Sequence, residues 1–236
     1  MLGQVACEDK SNEFTAIPEL LRLLNLDGAT VTIDAMGCQK EIASQIRDQK
    51  GHYVLGPKGN QPTLEVAMQT VFDAAAECDF NGVATHATSE HGHGLDERRI
   101  VQALTIPPAH AQCQVWRDLK TLVAVTSCRT LHGEENWDTR FYISSHHPRA
   151  LARAVRQHWS IKNSQHHVLA VSFHEDQRRQ SHRYGATNLA TVRRLVLSVL
   201  RQESTRSRGV KCKRLTCALD PHYLNTVLQT LNAQPI

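Results

Sequence analysis

The chain has 236 residues, 41% of them hydrophobic and 21% charged, with 12 Gly and 8 Pro, which excludes a collagen-like, coiled-coil or disordered chain. The net charge of +4 conceals a polarity: residues 1–145 carry 12 Lys/Arg against 19 Asp/Glu, whereas residues 146–214 carry 15 against only Glu175, Asp176 and Glu203. Such a basic block either meets a polyanion, releasing counterions from its phosphates, or is a solvated helical face that acidic groups of the first half cover.

Residues 18–25, opened by Pro18 and stopped by Asp27-Gly28, predict the first helix, and the β-branched run 29–34 a buried strand. A helix over 39–49, with Ile42 and Ile46 four apart, leads to a strand at 52–55 that Gly56-Pro57 breaks. Thr63 is the expected cap of a helix through Glu77, with Leu64, Met68, Val71 and Phe72 on one side. This alternation predicts an α/β unit with a parallel sheet. Residues 80–145 change character, with strand-like runs at 99–106, 119–125 and 137–144. Helices return from Pro148 to about Leu169 and over 188–203, followed by a basic tail and a short helix at 221–231. Seven scattered Cys without a Cys-x-x-Cys pair encode neither a disulfide framework nor a zinc knuckle, and read as reduced. No basic leader and no apolar run near ~20 residues is present, so a cytoplasmic protein without a membrane partner is expected.

Asp34 ends the first predicted strand, and ligands of open α/β sheets gather outside the carboxyl ends of strands. The next strand ends on the same edge and delivers Lys58, Asn60 and Gln61 beside it, a set suited to hydrated Mg²⁺ with phosphate. The alternative is that Asp34 caps the following helix. In helical projection Lys162 falls with Leu151, Val155 and Leu169, while Arg149, Arg153 and Arg156 line the opposite side as a phosphate-facing ridge or plain solvated surface. A lysine on an apolar face must look into a cleft or snorkel past its neighbours. Fourteen His give no zinc-site spacing, and no Gly-rich phosphate loop or nucleophile elbow occurs, so no nucleotide cofactor is expected.

These residues also carry a resemblance. Lys10-Ser-Asn-Glu13, Thr32-Ile-Asp-Ala-Met-Gly-Cys-Gln39, Tyr53-Val-Leu55 with Lys58-Gly-Asn-Gln61, Tyr142-Ile-Ser-Ser145, His158-Trp-Ser-Ile-Lys-Asn163, His174-Glu-Asp176 and Asn188-Leu-Ala-x-x-Arg-Arg194 follow in order the motifs of DDE-type insertion-sequence transposases. The branch it resembles includes the bacterial H-repeat-associated proteins. The resemblance implies a ribonuclease H-like fold in which three acidic residues hold two Mg²⁺ or Mn²⁺ ions for phosphodiester cleavage and strand transfer. It implies the divisions 1–79 (first part of the catalytic domain), 80–146 (β-rich insertion), 147–203 (helical second part) and 204–236 (basic tail and terminal helix).

Asp34 matches the family's second acidic residue, and Lys162 stands at the position of the third, where the family has Glu. The chain begins after the strand expected to carry the first, so the resemblance implies a ribonuclease H-like fold lacking its first strand, with residues 2–6 available to replace that edge. An ammonium repels Mg²⁺, so the expectation is a transposase by descent that is catalytically inactive. Its expected partners are DNA at insertion-sequence ends, through Lys58, Asn60, Arg149, Arg153 and Arg156, and a second copy or an intact transposase. One alternative is a DNA-binding or dimerising remnant that modulates an intact transposase. Another is a metal nuclease whose ligands are rebuilt from Asp34 with Glu175 or Asp176.

Overall fold

A computed structural model describes residues 5, 13–92, 95–106, 110–131, 133–148, 151, 154, 157–158, 165–175 and 183–232. Two compact units divide the chain, one formed by residues 7–158 and one by residues 1–6 with 159–236.

In the first unit, α1 (Glu13–Arg22) precedes β1 (Thr30–Ile33), a 3₁₀ turn (Ala35–Gly37), α2 (Lys40–Asp48), β2 (His52–Leu55) and α3 (Pro62–Glu77). β1 and β2 are parallel, with Ile33 opposite Leu55. β3 (Ala84–Gly92), β4 (Leu95–Thr105), β5 (Thr121–Leu131) and β6 (Glu134–Ser144) follow as an antiparallel meander, with the short α4 (Ala111–Val115) between β4 and β5. The meander joins the parallel pair through β6, which pairs with β2 at Val54↔Ser144 and Leu55↔Ile143. The result is one six-stranded mixed sheet of order β1-β2-β6-β5-β4-β3.

Central position explains the composition of β2. Tyr53, Val54 and Leu55 are all buried, as expected of a strand covered on both faces. Ile42 and Ile46 of α2 and Leu64, Met68 and Phe72 of α3 meet Leu55, Leu122 and Ile143 in the main core. Each such side chain removed from water contributes about 1.5–3 kcal/mol. The face of α3 anticipated from spacing is the one that packs, although the helix starts at Pro62 with Gln61 as its N-cap, not at Thr63.

Three expectations are corrected. Pro18 lies inside α1, which begins five residues earlier at Glu13. A fourth strand, β3, precedes the three anticipated between residues 80 and 145. The basic tail is largely helical: α7 (Val210–Leu219) carries Lys211, Lys213 and Arg214.

The second unit contains α5 (His167–Phe173), α6 (Arg183–Gln202), α7 and α8 (Pro221–Asn232). Its core joins Leu169 and Phe173 to Leu197, Val199 and Leu200 of α6 and to Tyr223 and Val227 of α8. Glu203, just past α6, lies buried among them with Lys213. Its carboxylate accepts hydrogen bonds from the Thr205 hydroxyl and amide, from the Arg206 amide (3.3 Å) and from the Tyr223 hydroxyl (2.6 Å). Lys213 Nζ lies 3.1 Å from its Oε2 and also donates to the carbonyls of Leu200 (3.2 Å) and Glu203. No described helix is long and apolar enough to cross a membrane.

Candidate functional site

Parallel pairing places the carboxyl ends of β1 and β2 on one edge, and the Gly56 amide donates to the Ile33 carbonyl (3.2 Å) to extend the ladder there. Asp34 follows Ile33 directly, is exposed, and has extended backbone (φ −78°, ψ −171°). Its side chain makes no capping hydrogen bond to the 3₁₀ turn behind it, so the capping alternative does not hold.

The segment behind Asp34 is held from two sides. A Cβ on Gly37 would come within 2.3 Å of Ile33 Cγ2 and 2.9 Å of Ile17 Cδ1, so only glycine lets the turn lie this close to β1 and α1. From the loop after β2, Asn60 Nδ2 donates to the carbonyls of Ala35 (2.6 Å) and Cys38 (3.4 Å), while its Oδ1 accepts from the Lys58 amide (3.2 Å). Gln61 Nε2 adds a bond to the Cys38 carbonyl (3.0 Å). Burial pushes the Cys38 thiol up to about 12, which removes it as a nucleophile at neutral pH. The sequence reading thus brought the right loop to Asp34, but both amides are engaged by backbone. Lys58 remains as an exposed cation on that edge.

Within residues 34–40 and 56–61 the donor set is too small for a two-ion metal centre. Asp34 is the one carboxylate of residues 34–40 and 56–61, and a single carboxylate supplies at most two of about six oxygens that Mg²⁺ takes. Among the described residues no group of three or more His, Cys, Asp or Glu side chains could hold a metal ion. Glu175 in the helical unit is ion-paired with Arg194 (3.4 Å). Lys162, Arg149, Arg153, Arg156 and Asp176 lie outside the described residues.

The basic block is thinner than its composition suggests. Besides Lys213 on Glu203 and Arg194 on Glu175, Arg206 pairs with Asp220 (3.2 Å) and stacks over Tyr223 (4.3 Å), and Arg214 lies over Phe173 (5.3 Å). Arg208 and Lys211 are exposed. Sequence reasoning missed this consumption of charge, for which the signal was Glu203, an isolated carboxylate in a cationic stretch.

A second polar cluster, also missed, lies at the amino ends of β1 and β2. The rings of His52 and His146 stack at 4.0 Å, His146 Nε2 lies 2.7 Å from Thr30 Oγ1, and His52 Nδ1 contacts Ser145 Oγ (3.2 Å) and Arg47 (3.3 Å). Ser145 Oγ accepts from the Tyr53 amide (3.1 Å) and Ser144 Oγ donates to the Tyr53 carbonyl (2.7 Å), stitching the short β2–β6 junction. Burial lowers both histidines, with Arg47 and Lys120 acting in the same direction; Asp118 opposes this at His52. Both rings are therefore neutral at neutral pH.

The transposase DDE domain matches residues 1–199. Over 234 residues the chain is 39% identical to a protein named "Putative transposase YncI" of Escherichia coli O157:H7, covering 97% of this chain and 60% of that one. It is 34% identical over 235 residues to "H repeat-associated putative transposase YhhI" of Escherichia coli strain K12, covering 97% and 62% respectively. A 41% identical stretch of 107 residues, 45% of this chain and 42% of the relative, matches "H repeat-associated putative transposase YbfD" of the same strain. The chain thus spans about three fifths of the length of the first two of these relatives. No solved structure matches it.

Proposed function

The chain belongs to the DDE transposase family, and on that premise we propose that it binds DNA, of the kind found at insertion-sequence ends, without itself cutting it. The family implies a ribonuclease H-like fold, and in this reading the parallel pair β1–β2 with its flanking helices belongs to that fold. Residues 1–79 and 147–203 are then its two parts, 80–146 its β-rich insertion, and 204–236 a basic C-terminal piece. DDE transposases generally use divalent metal ions. Here Asp34 stands in the family's strand-end position, but Lys162 replaces the Glu of the Trp-x-Ile-Glu-Asn motif. That replacement carries the reading, because an ammonium in place of a carboxylate raises the electrostatic cost of binding Mg²⁺. No cleavage step is therefore assigned to this chain.

What remains is phosphate recognition. Lys58 offers a point charge at the strand edge, Arg208 and Lys211 offer others in the helical unit, and Arg149, Arg153 and Arg156 complete the proposed contacts. Asn60 serves by holding the segment behind Asp34. The test is anisotropy of a labelled duplex titrated with the protein across a salt series, with and without EDTA. The account expects affinity that falls steeply and linearly on a log–log plot against salt and ignores EDTA. Absence of binding at low salt, or binding that requires Mg²⁺, would overturn it.

A further inference from the structure

β6 pairs with β5 along eleven residues but with β2 along two, so the seam between the antiparallel meander and the parallel pair is short. Beyond Val54↔Ser144 it is closed by other bonds. The Ser145 amide donates to the Tyr53 carbonyl (3.3 Å), and the stacked rings of His52 and His146, bonded to Ser145 and Thr30, tie the end of β6 to the starts of β1 and β2. A neutral His52 is what fits this arrangement. An arginine can only donate, so the Arg47 contact assigns the lone pair to His52 Nδ1 and the ring proton to Nε2. Arg47 is itself held in place, donating to the Gly51 carbonyl (2.5 Å) and to Asp118 (2.8 Å).

We propose that this histidine pair is a proton-sensitive clasp: protonation releases Ser145 and His146 from β1 and β2 and opens the amino end of the β2–β6 seam while the rest of the sheet stays folded. A proton on His52 Nδ1 would set an imidazolium against the Arg47 guanidinium 3.3 Å away and remove the acceptor of the Ser145 hydroxyl. The surroundings do not compensate. α2 contributes Arg47 and Asp48, the loop before β5 Arg117, Asp118 and Lys120, and the segment after β6 His147, while the turns before β1 and β2 offer Asp27 and Lys50, one charge of each sign. Arg47 and Lys120 act against a proton on either ring. Asp118, which opposes them at His52, is already engaged by Arg47, and Asp48 by Arg117 (2.7 Å). A second proton, on His146, would put like charges on rings stacked at 4.0 Å. The released segment keeps its hold on β5, through the Lys120 amide on the Ser144 carbonyl (3.0 Å) and the Thr121 hydroxyl on the His146 carbonyl (2.6 Å), so opening is confined to the β2 side. The clasp is independent of DNA binding, and either can fail without the other.

Hydrogen–deuterium exchange of the full chain at pH 7.5 and 5.5, with exchange times scaled for the intrinsic rate, tests it beside the double variant His52→Gln with His146→Gln. Glutamine can still accept from Arg47 but takes up no proton. A released ring titrates at its ordinary 6.5, so one unit below that value each ring that gains its proton on release favours opening by up to about tenfold. The wild type is expected to lose up to about tenfold in protection over residues 52–55 and 143–147 at the lower pH, with α3 unchanged. The double variant is expected to keep the same protection at both pH values. In the wild type itself, NMR of the two imidazoles is expected to show both titrating below 6.5, in step with the amide signals of Tyr53 and Ser145. Equal wild-type protection at both pH values, a loss shared by α3, a double variant that opens like the wild type, or imidazoles that titrate at or above 6.5 would each overturn the proposal.

Discussion

Lys213 and Glu203 form a buried pair whose two halves differ in how well they can survive alone, and that asymmetry gives a quantitative test. Side-chain exposure is 8% for Lys213 and 0% for Glu203. In Lys213→Met the carboxylate keeps the Thr205 hydroxyl and amide, the Arg206 amide and the Tyr223 hydroxyl as donors, and loses one charge-assisted bond. The expected cost is about 1.5–3 kcal/mol. In Glu203→Gln the ammonium remains in a buried site with two carbonyls and no counter-charge, and the expected cost is about 3–5 kcal/mol. Urea unfolding followed by circular dichroism measures both. Burial pushes the Glu203 carboxyl up, but hydrogen bonds from Thr205, Tyr223 and Lys213 outweigh it and hold it at about 2, below its ordinary 4.5. Its contribution is then fully present above pH 4.5 and lost as pH falls toward 2, since the unfolded chain takes up the proton first. In the DNA titration, Lys213→Met leaves the salt slope unchanged, whereas Lys211→Ala lowers it by about one. Lys213→Met proving as costly as Glu203→Gln would refute the idea that the carboxylate is the better-satisfied partner.

Gly37→Ala forces a Cβ against Ile33 and Ile17, and is expected to cost about 1–3 kcal/mol in thermal melts while raising hydrogen exchange over residues 34–39. An unchanged melt and exchange pattern would contradict the packing of that turn. His52 and His146 are held below their ordinary value of 6.5, so the unfolded chain binds protons that the folded one refuses. Stability is thus full above pH 6.5 and falls as pH drops below it, and the double variant His52→Gln with His146→Gln is expected to flatten melting temperature between pH 7.5 and 5.5.

Elements with a strong internal signal were legible in the sequence. β1 declares itself by a β-branched run ahead of Asp34, β2 by an unbroken apolar stretch, and α3 by Leu64, Met68 and Phe72 at helical spacing. β3 carried no such signal, because with nearly every residue exposed it shows no apolar alternation, and pairing to β4 alone makes it a strand. Pro18 misled because proline favours the first turn, whereas its ring denies α1 only one backbone bond and Ile17 and Leu21 still pack inward. At the site, strand-end geometry located Asp34 and its neighbouring loop. Periodicity could not reveal that Asn60 and Gln61 bond to backbone carbonyls more than twenty residues away, nor that Lys213 folds back on Glu203.

The most direct test of the account is nicking of supercoiled plasmid by the purified protein with Mg²⁺ or Mn²⁺, beside an Asp34→Ala control. The account predicts no metal-dependent nicking by either protein, with plasmid retained at low salt. Nicking by the wild type that disappears in Asp34→Ala would show a working metal site built on that carboxylate, and would contradict the claim that Lys162 in place of a carboxylate ends cleavage by this chain.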